Sequence, residues 1–304
     1  MRVSGMASAF VLVTAVGAGS VVSLVHCSGT PAKATGGRGS PVVEPGGSAC
    51  DSTHKCSGAL RCCASVCTDT ARDPRNCGAC GVACTAGQFC TGTKCDSAIF
   101  SNLCANPKAT VDLGQFAPDN AAGVALGAAL TTSCSPAVAV GQASQLSGIL
   151  EGDAGRPNIG GGDTLVVGGG GFGQLAVQYL DSSGLSPIFL KTDGVTAQYI
   201  VRATGAPAFA AVMVSDLTAH HDYFFVELVV EPESGTLCFV GAGILAPGTA
   251  AAGYYGSTQL IPNRAADMHS WEAVEWTDAP GSGGTPGDGI PNAGDTFRVV
   301  ASSP

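Results

Sequence analysis

Ten cysteines lie between residues 50 and 95, and this clustering limits what the chain can fold into more than any other feature. The same segment has few large apolar side chains, namely Leu60, Val66, Val82 and Phe89. A segment this small cannot be stabilised by burial alone, so cross-links must hold it. Clustered cysteines form disulfides in an oxidising compartment and bind metal in a reducing one. The compartment therefore decides the chemistry of these cysteines.

The N-terminus indicates export. Residues 3–25 carry no charge and follow a single arginine, a pattern typical of a signal peptide. The segment ends in Leu24-Val25-His26-Cys27, which resembles a bacterial lipobox, although His26 replaces the usual small residue. We predict a signal peptide and lipobox over residues 1–27, with Cys27 carrying a lipid. A secretory signal with free release and an uncleaved membrane anchor are the alternatives.

Residues 28–48 predict a flexible linker, because twelve of these 21 residues are Gly, Pro or Ser. In the cysteine-rich segment that follows, Cys77 and Cys80 form a C-x-x-C pair, but no second pair has the spacing of a structural zinc site. In an exported chain we therefore expect disulfides, with zinc as the alternative. The predicted disulfide cysteines are Cys50, Cys56, Cys62, Cys63, Cys67, Cys77, Cys80, Cys84, Cys90, Cys95, Cys104 and Cys134. The connectivity of the first ten stays open.

The cysteine pattern resembles that of a known family. The matching residues are Cys62-Cys63, Cys67 with Asp69, Asp73, Asn76-Cys77-Gly78-x-Cys80-Gly81-x-x-Cys84, Cys90 and Cys95. On these residues the segment of about 50–95 is similar to the Stig1 (stigma-specific) cysteine-rich module, to which we assign residues 49–96. The resemblance implies secretion and, in bacterial (myxobacterial-like) chains, a surface lipoprotein; it implies no catalysis.

Residues 97–304 predict an α/β domain with a mixed or mostly parallel sheet. In Asp163–Asp193, an apolar strand at residues 165–167 precedes apolar residues with helical spacing from Phe172 to Leu180, and a second strand follows at residues 188–190. This order predicts a βαβ unit. A second strand–helix pair is predicted in Thr236–Ile261, where Pro247 suits the first turn of a helix. A β-sandwich is the alternative, since several further strand-like runs alternate in polarity.

A glycine-rich turn follows the first of these strands. Gly168, Gly170 and Gly173 match the dinucleotide-binding fingerprint, and Asp193 is near the position of the acidic ribose ligand. An exported chain meets little NAD, so the favoured interpretation is a tight turn where a helix closely approaches the strand.

Two further groups are weak site candidates. His220, His221 and Asp222 precede a strand and could serve as ligands or bases, although a polar loop explains them as well. The acidic loop that contains Asp278, Asp288 and Asp295 is a weak calcium candidate that lacks the spacing of an EF-hand. Cys238 lies in an apolar run, and we expect it to be buried and unreactive.

We expect an exported, lipid-anchored protein of the outer membrane or cell surface, or otherwise a secreted one. The expected role is non-enzymatic, in interaction with a surface protein or glycan or in envelope structure, with no cofactor other than a weakly supported calcium ion. The net charge of −9 and the lack of basic runs argue against nucleic acid as a partner. The alternative is an extracellular hydrolase or ligand-binding enzyme in which the glycine turn and His221 or Asp222 line one pocket.

Overall fold

The computed structural model describes residues 48–304 except 146, 153–154, 160–162, 172 and 282–286. The predicted signal peptide, Cys27, all but the last residue of the predicted linker, and Phe172 lie outside the described residues. Within the described part, no helix combines the length and apolar character that crossing a membrane requires.

The cysteine-rich segment folds into two small antiparallel hairpins. Strands, numbered in chain order, are β1 (Arg61–Cys63), β2 (Val66–Thr68), β3 (Gln88–Thr91) and β4 (Lys94–Ser97). The disulfides join Cys50 to Cys62, Cys56 to Cys67, Cys63 to Cys80, Cys77 to Cys90 and Cys84 to Cys95. Phe89 is fully buried, whereas Val66 and Val82 are exposed. The prediction of a disulfide-bonded, cysteine-rich region is confirmed, and covalent bonds replace the missing apolar core.

A mixed seven-stranded sheet forms the centre of the remaining chain. In spatial order its strands are β6 (Ala139–Ser144), β5 (Lys108–Leu113), β9 (Thr164–Gly168), β14 (Leu237–Gly243), β13 (His221–Val230), β15 (Trp271–Thr277) and β16 (Thr296–Ser302). The first four run parallel to one another, and the last three are joined antiparallel. The coarse prediction of a disulfide-rich region followed by a mixed sheet is therefore confirmed.

The smaller elements surround this sheet. A hairpin pairs β7 (Leu150–Glu151) with β8 (Arg156–Pro157), and a three-stranded antiparallel sheet contains β10 (Ile188–Thr192), β11 (Thr196–Val201) and β12 (Val212–Met213). The helices are α1 (Ala117–Ser133), α2 (Leu175–Ser182), α3 (Ala246–Tyr255) and α4 (Ile261–Asn263), with a π-helical turn at Gly256–Leu260 between the last two. Short 3-10 helices cover Phe100–Asn102, Val214–Asp216 and Arg264–Ala266.

Both faces of the inner strands β9, β14 and β13 of the central sheet are buried. Successive residues of β13 alternate between two apolar cores, so that Phe224 packs with residues of α1 and α3 while Phe225 packs with residues of α2, β10 and β11. Strands covered on both faces need apolar side chains at nearly every position. This burial explains the continuous apolar runs of β9 and β13.

The predicted βαβ unit in Asp163–Asp193 is wrong in its second strand. Residues 188–192 form β10, which pairs antiparallel with β11 in the small sheet. Strand β9 already has β5 and β14 as its two neighbours, so no edge of it is open to β10. The parallel strand–helix–strand unit of this fold is instead β5, α1 and β6.

The cysteine-rich segment packs against the sheet region. Phe89 belongs to the same apolar core as Phe100 and Leu103, which precede β5. A salt bridge of 3.2 Å joins Arg72 to Asp163 at the start of β9. A sixth disulfide, between Cys104 and Cys134, connects the segment before β5 to the end of α1. Cys238 has a free thiol and is fully buried in β14.

Candidate functional site

A pocket of about 930 Å³ opens at the carboxyl ends of the neighbouring parallel strands β9 and β14. The first turns of α1 and α3 and the glycine-rich turn before α2 form its rim, and the small sheet contributes a side wall. In open α/β sheets, ligands characteristically bind in the crevice outside the carboxyl ends of the strands. The pocket therefore lies where this architecture places a ligand site.

The walls of the pocket are mainly apolar. The apolar side chains that line it are Phe116, Val177, Phe189, Leu190, Phe225, Ile244 and Leu245. Phe116 stands at the start of α1 and is 49% exposed, so its ring is accessible at the pocket. An aromatic residue at the rim offers an apolar ligand a contact surface.

Steric contacts with α1 explain why the turn after β9 is rich in glycine. A Cβ atom at Gly168 would overlap backbone atoms of Asp119 and Gly123, because α1 passes directly over the end of β9. Gly169 has a φ of +97°, and a Cβ atom there would overlap the Asp119 carboxyl group. At Gly173 a Cβ atom would lie 2.7 Å from Asp119 Oδ2. These contacts support the interpretation of a tight turn against a helix, with a carboxylate where a nucleotide site would need room for phosphate.

Asp119 is the least expected group in the pocket. It occupies the third position of α1, lines the pocket, and is only 8% exposed. Among the described residues nothing donates a hydrogen bond to its side chain, and burial raises the pKa of its carboxyl group to about 6. Buried carboxyl groups are normally hydrogen-bonded, since an unpaired one loses its hydration without compensation.

Arg202, the cation among the described lining residues, is already engaged with the protein. The Arg202 guanidinium donates to the carbonyl oxygens of Ser186 at 2.6 Å and Asp181 at 3.1 Å. It also lies 4.6 Å from the centre of the Phe189 ring. Burial raises the pKa of the Asp181 carboxyl group to about 6, while the guanidinium 4.0 Å away acts in the opposite direction. Arg202 is thus part of the pocket wall, and its positive charge is partly neutralised by the Asp181 carboxylate.

The predicted histidine group does not converge on this pocket, since none of its three residues lines it. His220 bonds to Asp278 at 2.7 Å, and His221 bonds to Glu275 at 3.1 Å. Asp222 is fully buried and accepts hydrogen bonds from the backbone N–H groups of Leu245 and Gly248. It caps the N-terminus of α3 from a neighbouring strand, which is a structural role. Gly170 and Gly173 line the pocket, whereas Gly168 does not and lies against Asp119 and Gly123 of α1.

The calcium candidates serve mainly to hold their own loop. Asp278 accepts a hydrogen bond from the backbone N–H of Gly289, and Asp288 accepts one from Ile290. Asp295 accepts hydrogen bonds from the Trp276 indole, the Ala279 backbone and the Asn292 backbone. Carboxylates that cap backbone groups in this way are typical of polar loops.

Groups of potential metal ligands occur elsewhere in the described residues. Those with ligand atoms within 4.8 Å of one another are Cys50, Cys56 and Cys62; Cys77, Cys84 and Cys95; and Asp267, His269 and Glu272. All six cysteines are in disulfides, so their sulfur atoms are not thiolate ligands. In the third group, Glu272 accepts a hydrogen bond from the Tyr255 hydroxyl at 2.8 Å. Of these three groups in the described part of the chain, only the third could hold a cation.

Sequence reasoning missed Asp119, Asp181 and Arg202. A weak signal existed for the first, since Pro118-Asp119 lies one short turn after the strand-like run of residues 108–113 and suits the start of a helix. No local pattern marks the other two, because they reach the pocket from α2 and from the end of the small sheet.

Comparisons with family models, with curated proteins and with solved structures found no match to this chain. The similarity of residues 50–95 to the Stig1 module therefore remains a resemblance carried by the cysteine pattern alone.

Proposed function

We propose that this chain is an exported, lipid-anchored cell-surface protein that binds a small, mainly apolar molecule without transforming it. Export and the lipid are inferred from the N-terminal sequence, and the disulfides are compatible with an oxidising compartment. The cysteine-rich segment acts as a covalently stabilised support against the sheet region that contains the pocket.

The observation that carries the proposal is the pocket itself. Its volume of about 930 Å³ lies in the range of roughly 300–1,000 Å³ that is typical of small-molecule sites. An apolar cavity of this size, open at the carboxyl ends of parallel strands, serves no evident purpose in packing the core.

Binding without catalysis is favoured because the pocket offers no activated nucleophile. No His or Cys is among its described lining residues. The Ser182 hydroxyl donates to the Tyr179 carbonyl oxygen at 3.2 Å, and the Thr249 hydroxyl accepts a hydrogen bond from Gly243. The Thr192 hydroxyl donates to the Thr196 carbonyl oxygen at 2.8 Å. Hydroxyl nucleophiles need an adjacent base, and none of these three hydroxyls donates to one.

Hydrolysis is a second candidate function, and one observation favours it. Asp119 and Asp181 line the same pocket, and burial raises the pKa of each carboxyl group to about 6. Carboxyl groups with raised pKa values serve as general acids in glycoside hydrolysis. Turnover of chromogenic glycosides or esters that is lost in Asp181→Asn would support this candidate against simple binding.

The test of the proposed function is saturable binding of Nile red, a neutral apolar dye, measured by fluorescence. Ala246 is exposed at the pocket rim, so Ala246→Trp narrows the entrance. Ala128 is exposed on α1 away from the pocket, and Ala128→Trp is the matched control. We expect weaker dye binding only in Ala246→Trp. Because all variants have the same N-terminus, any Nile red that partitions into an attached lipid contributes equally to the fluorescence of each variant. Equal binding by the two variants, or none by the wild type, would contradict the proposal.

A further inference from the structure

We propose that Asp119 is the recognition group of the pocket, and that the natural ligand is an apolar molecule with one protonated amine. The proposal rests on the proposed function and specifies the ligand that the pocket selects. Its basis is the buried position of this carboxylate, its lack of a partner among the described residues, and the engagement of Arg202 with two carbonyl oxygens and with Asp181.

The backbone holds Asp119 in a fixed place. Its own main chain passes over Gly168, and its carboxyl group lies against Gly169 and Gly173, where only the missing Cβ atoms leave room for it. The side chain is therefore confined between α1 and the glycine-rich turn, with its remaining exposed surface in the pocket. A confined and unpaired acceptor is prepared for an incoming donor, because little freedom is lost when the ligand binds.

An ammonium group suits this acceptor better than a neutral donor. Burial raises the pKa of Asp119 to about 6, so at neutral pH the carboxylate is ionised while an alkylamine is protonated. The first turn of a helix also favours a negative charge at this position. A hydrogen bond between charged groups contributes about 1.5–3 kcal/mol, which corresponds to an affinity gain of about tenfold to a hundredfold.

The surrounding groups exclude an anionic ligand. The titratable groups that face the pocket besides Asp119 are Asp181, Arg202 and Tyr199. Arg202 already donates to two carbonyl oxygens and lies beside Asp181, while the buried Tyr199 hydroxyl donates to the carbonyl oxygens of Tyr223 or Ala242. A phosphate at the glycine turn would meet the Asp119 carboxylate. This repulsion argues against a dinucleotide despite the matching glycine spacing.

The experiment compares three probes with the same apolar skeleton in calorimetric titrations of the full chain. The probes are 1-naphthylmethylamine, which is cationic, 1-naphthalenemethanol, which is neutral, and 1-naphthoate, which is anionic. We expect the wild type to bind the amine at least about tenfold more tightly than the alcohol, and the anion most weakly. Asp119→Asn should abolish the preference for the amine. Asp216→Asn, at an exposed position outside the pocket, makes the same charge change and should retain the preference.

A pH profile of the wild type keeps the proposal testable if Asp119→Asn does not fold, which circular dichroism would show. The affinity for the amine should fall as the pH drops through about 6, because Asp119 becomes protonated, while the affinity for the alcohol should stay constant. Burial raises the pKa of Asp181 to about 6 as well, so the same fall should persist in Asp181→Asn, where Asp119 is the remaining carboxyl group of the described pocket lining. Equal affinities for amine and alcohol, a preference that persists in Asp119→Asn, or a flat pH profile would overturn the proposal. If the alcohol binds as tightly as the amine, the proposal of an amine ligand is wrong, but the proposed function of binding an apolar molecule stands. If none of the probes binds, and Nile red does not bind either, the proposed function is also wrong.

Discussion

The disulfide between Cys104 and Cys134 is expected to contribute a large part of the stability of the sheet region. It joins the segment before β5 to the end of α1, and the bonded residues are 30 apart in sequence. The loop that it closes contains β5 and all of α1, the two elements that carry Asp112 and Asp119. Without the bond, the unfolded chain gains the entropy of this open loop.

The magnitude follows from the loop length. For about 30 residues, the chain-entropy model assigns the bond about 3.6 kcal/mol at room temperature. The double variant Cys104→Ala/Cys134→Ala should lose about this amount of unfolding free energy. In a chain of this size the melting temperature should then fall by about 7–14 °C.

Urea unfolding followed by tryptophan fluorescence measures the loss, because Trp271 and Trp276 are both buried in β15. Cys238→Ala is the matched control, since it removes a buried sulfur atom that is in no disulfide and should cost only about 1 kcal/mol. If the double variant were no less stable than the control, the reasoning from loop closure would be refuted. The reasoning would also be refuted if thiol titration of the denatured wild type showed that Cys104 and Cys134 are reduced.

Three further predictions concern the central sheet. Gly168→Ala should lower the unfolding free energy by about 1–3 kcal/mol, because the new Cβ atom would overlap the backbone of α1. Gly171→Ala is the control and should lower it little, since the nearest atom to its Cβ position is 3.5 Å away. Equal melting temperatures of the two variants would contradict the steric role of the turn. Asp112 is fully buried without a hydrogen-bond partner, and burial raises the pKa of its carboxyl group to about 7. The folded state therefore binds this proton more tightly than the unfolded state does. The resulting stabilisation is fully present below about pH 4 and is lost as the pH rises through about 7. In urea titrations across this pH range, the unfolding free energy of the wild type should fall with rising pH more steeply than that of Asp112→Asn, by up to about 1.4 kcal/mol per pH unit. Identical slopes in the two proteins would argue against the assignment. Asp222→Ala should lower the unfolding free energy by about 1–2 kcal/mol, because the N-terminus of α3 loses its cap. Asp222→Asn should lower it less in thermal melting experiments, and equal losses in the two variants would argue against capping.

The sequence alone indicated that disulfides hold the cysteine-rich segment, while it left the connectivity of the ten cysteines open. The scarcity of large apolar residues in the segment of Cys50–Cys95 required cross-links, and the export signal indicated disulfides. Several local elements were also predictable. The apolar run after Tyr223 is a strand, and α3 begins beside Pro247, because the fixed φ of proline suits a first helical turn. These properties depend on composition or on neighbouring residues, so they can be predicted without the tertiary structure.

Only the tertiary structure decided which strands pair and what the pocket contains. Strand β10 was predicted at the right residues but in the wrong sheet, because whether β9 has a free edge depends on β14, about 70 residues later in the chain. Asp119 resembles any acidic residue in a first helical turn until Gly168, Gly169 and Gly173 allow α1 to bury its carboxyl group. Burial and the loss of hydrogen-bond partners arise from contacts between distant segments, and for this reason no local pattern reveals them.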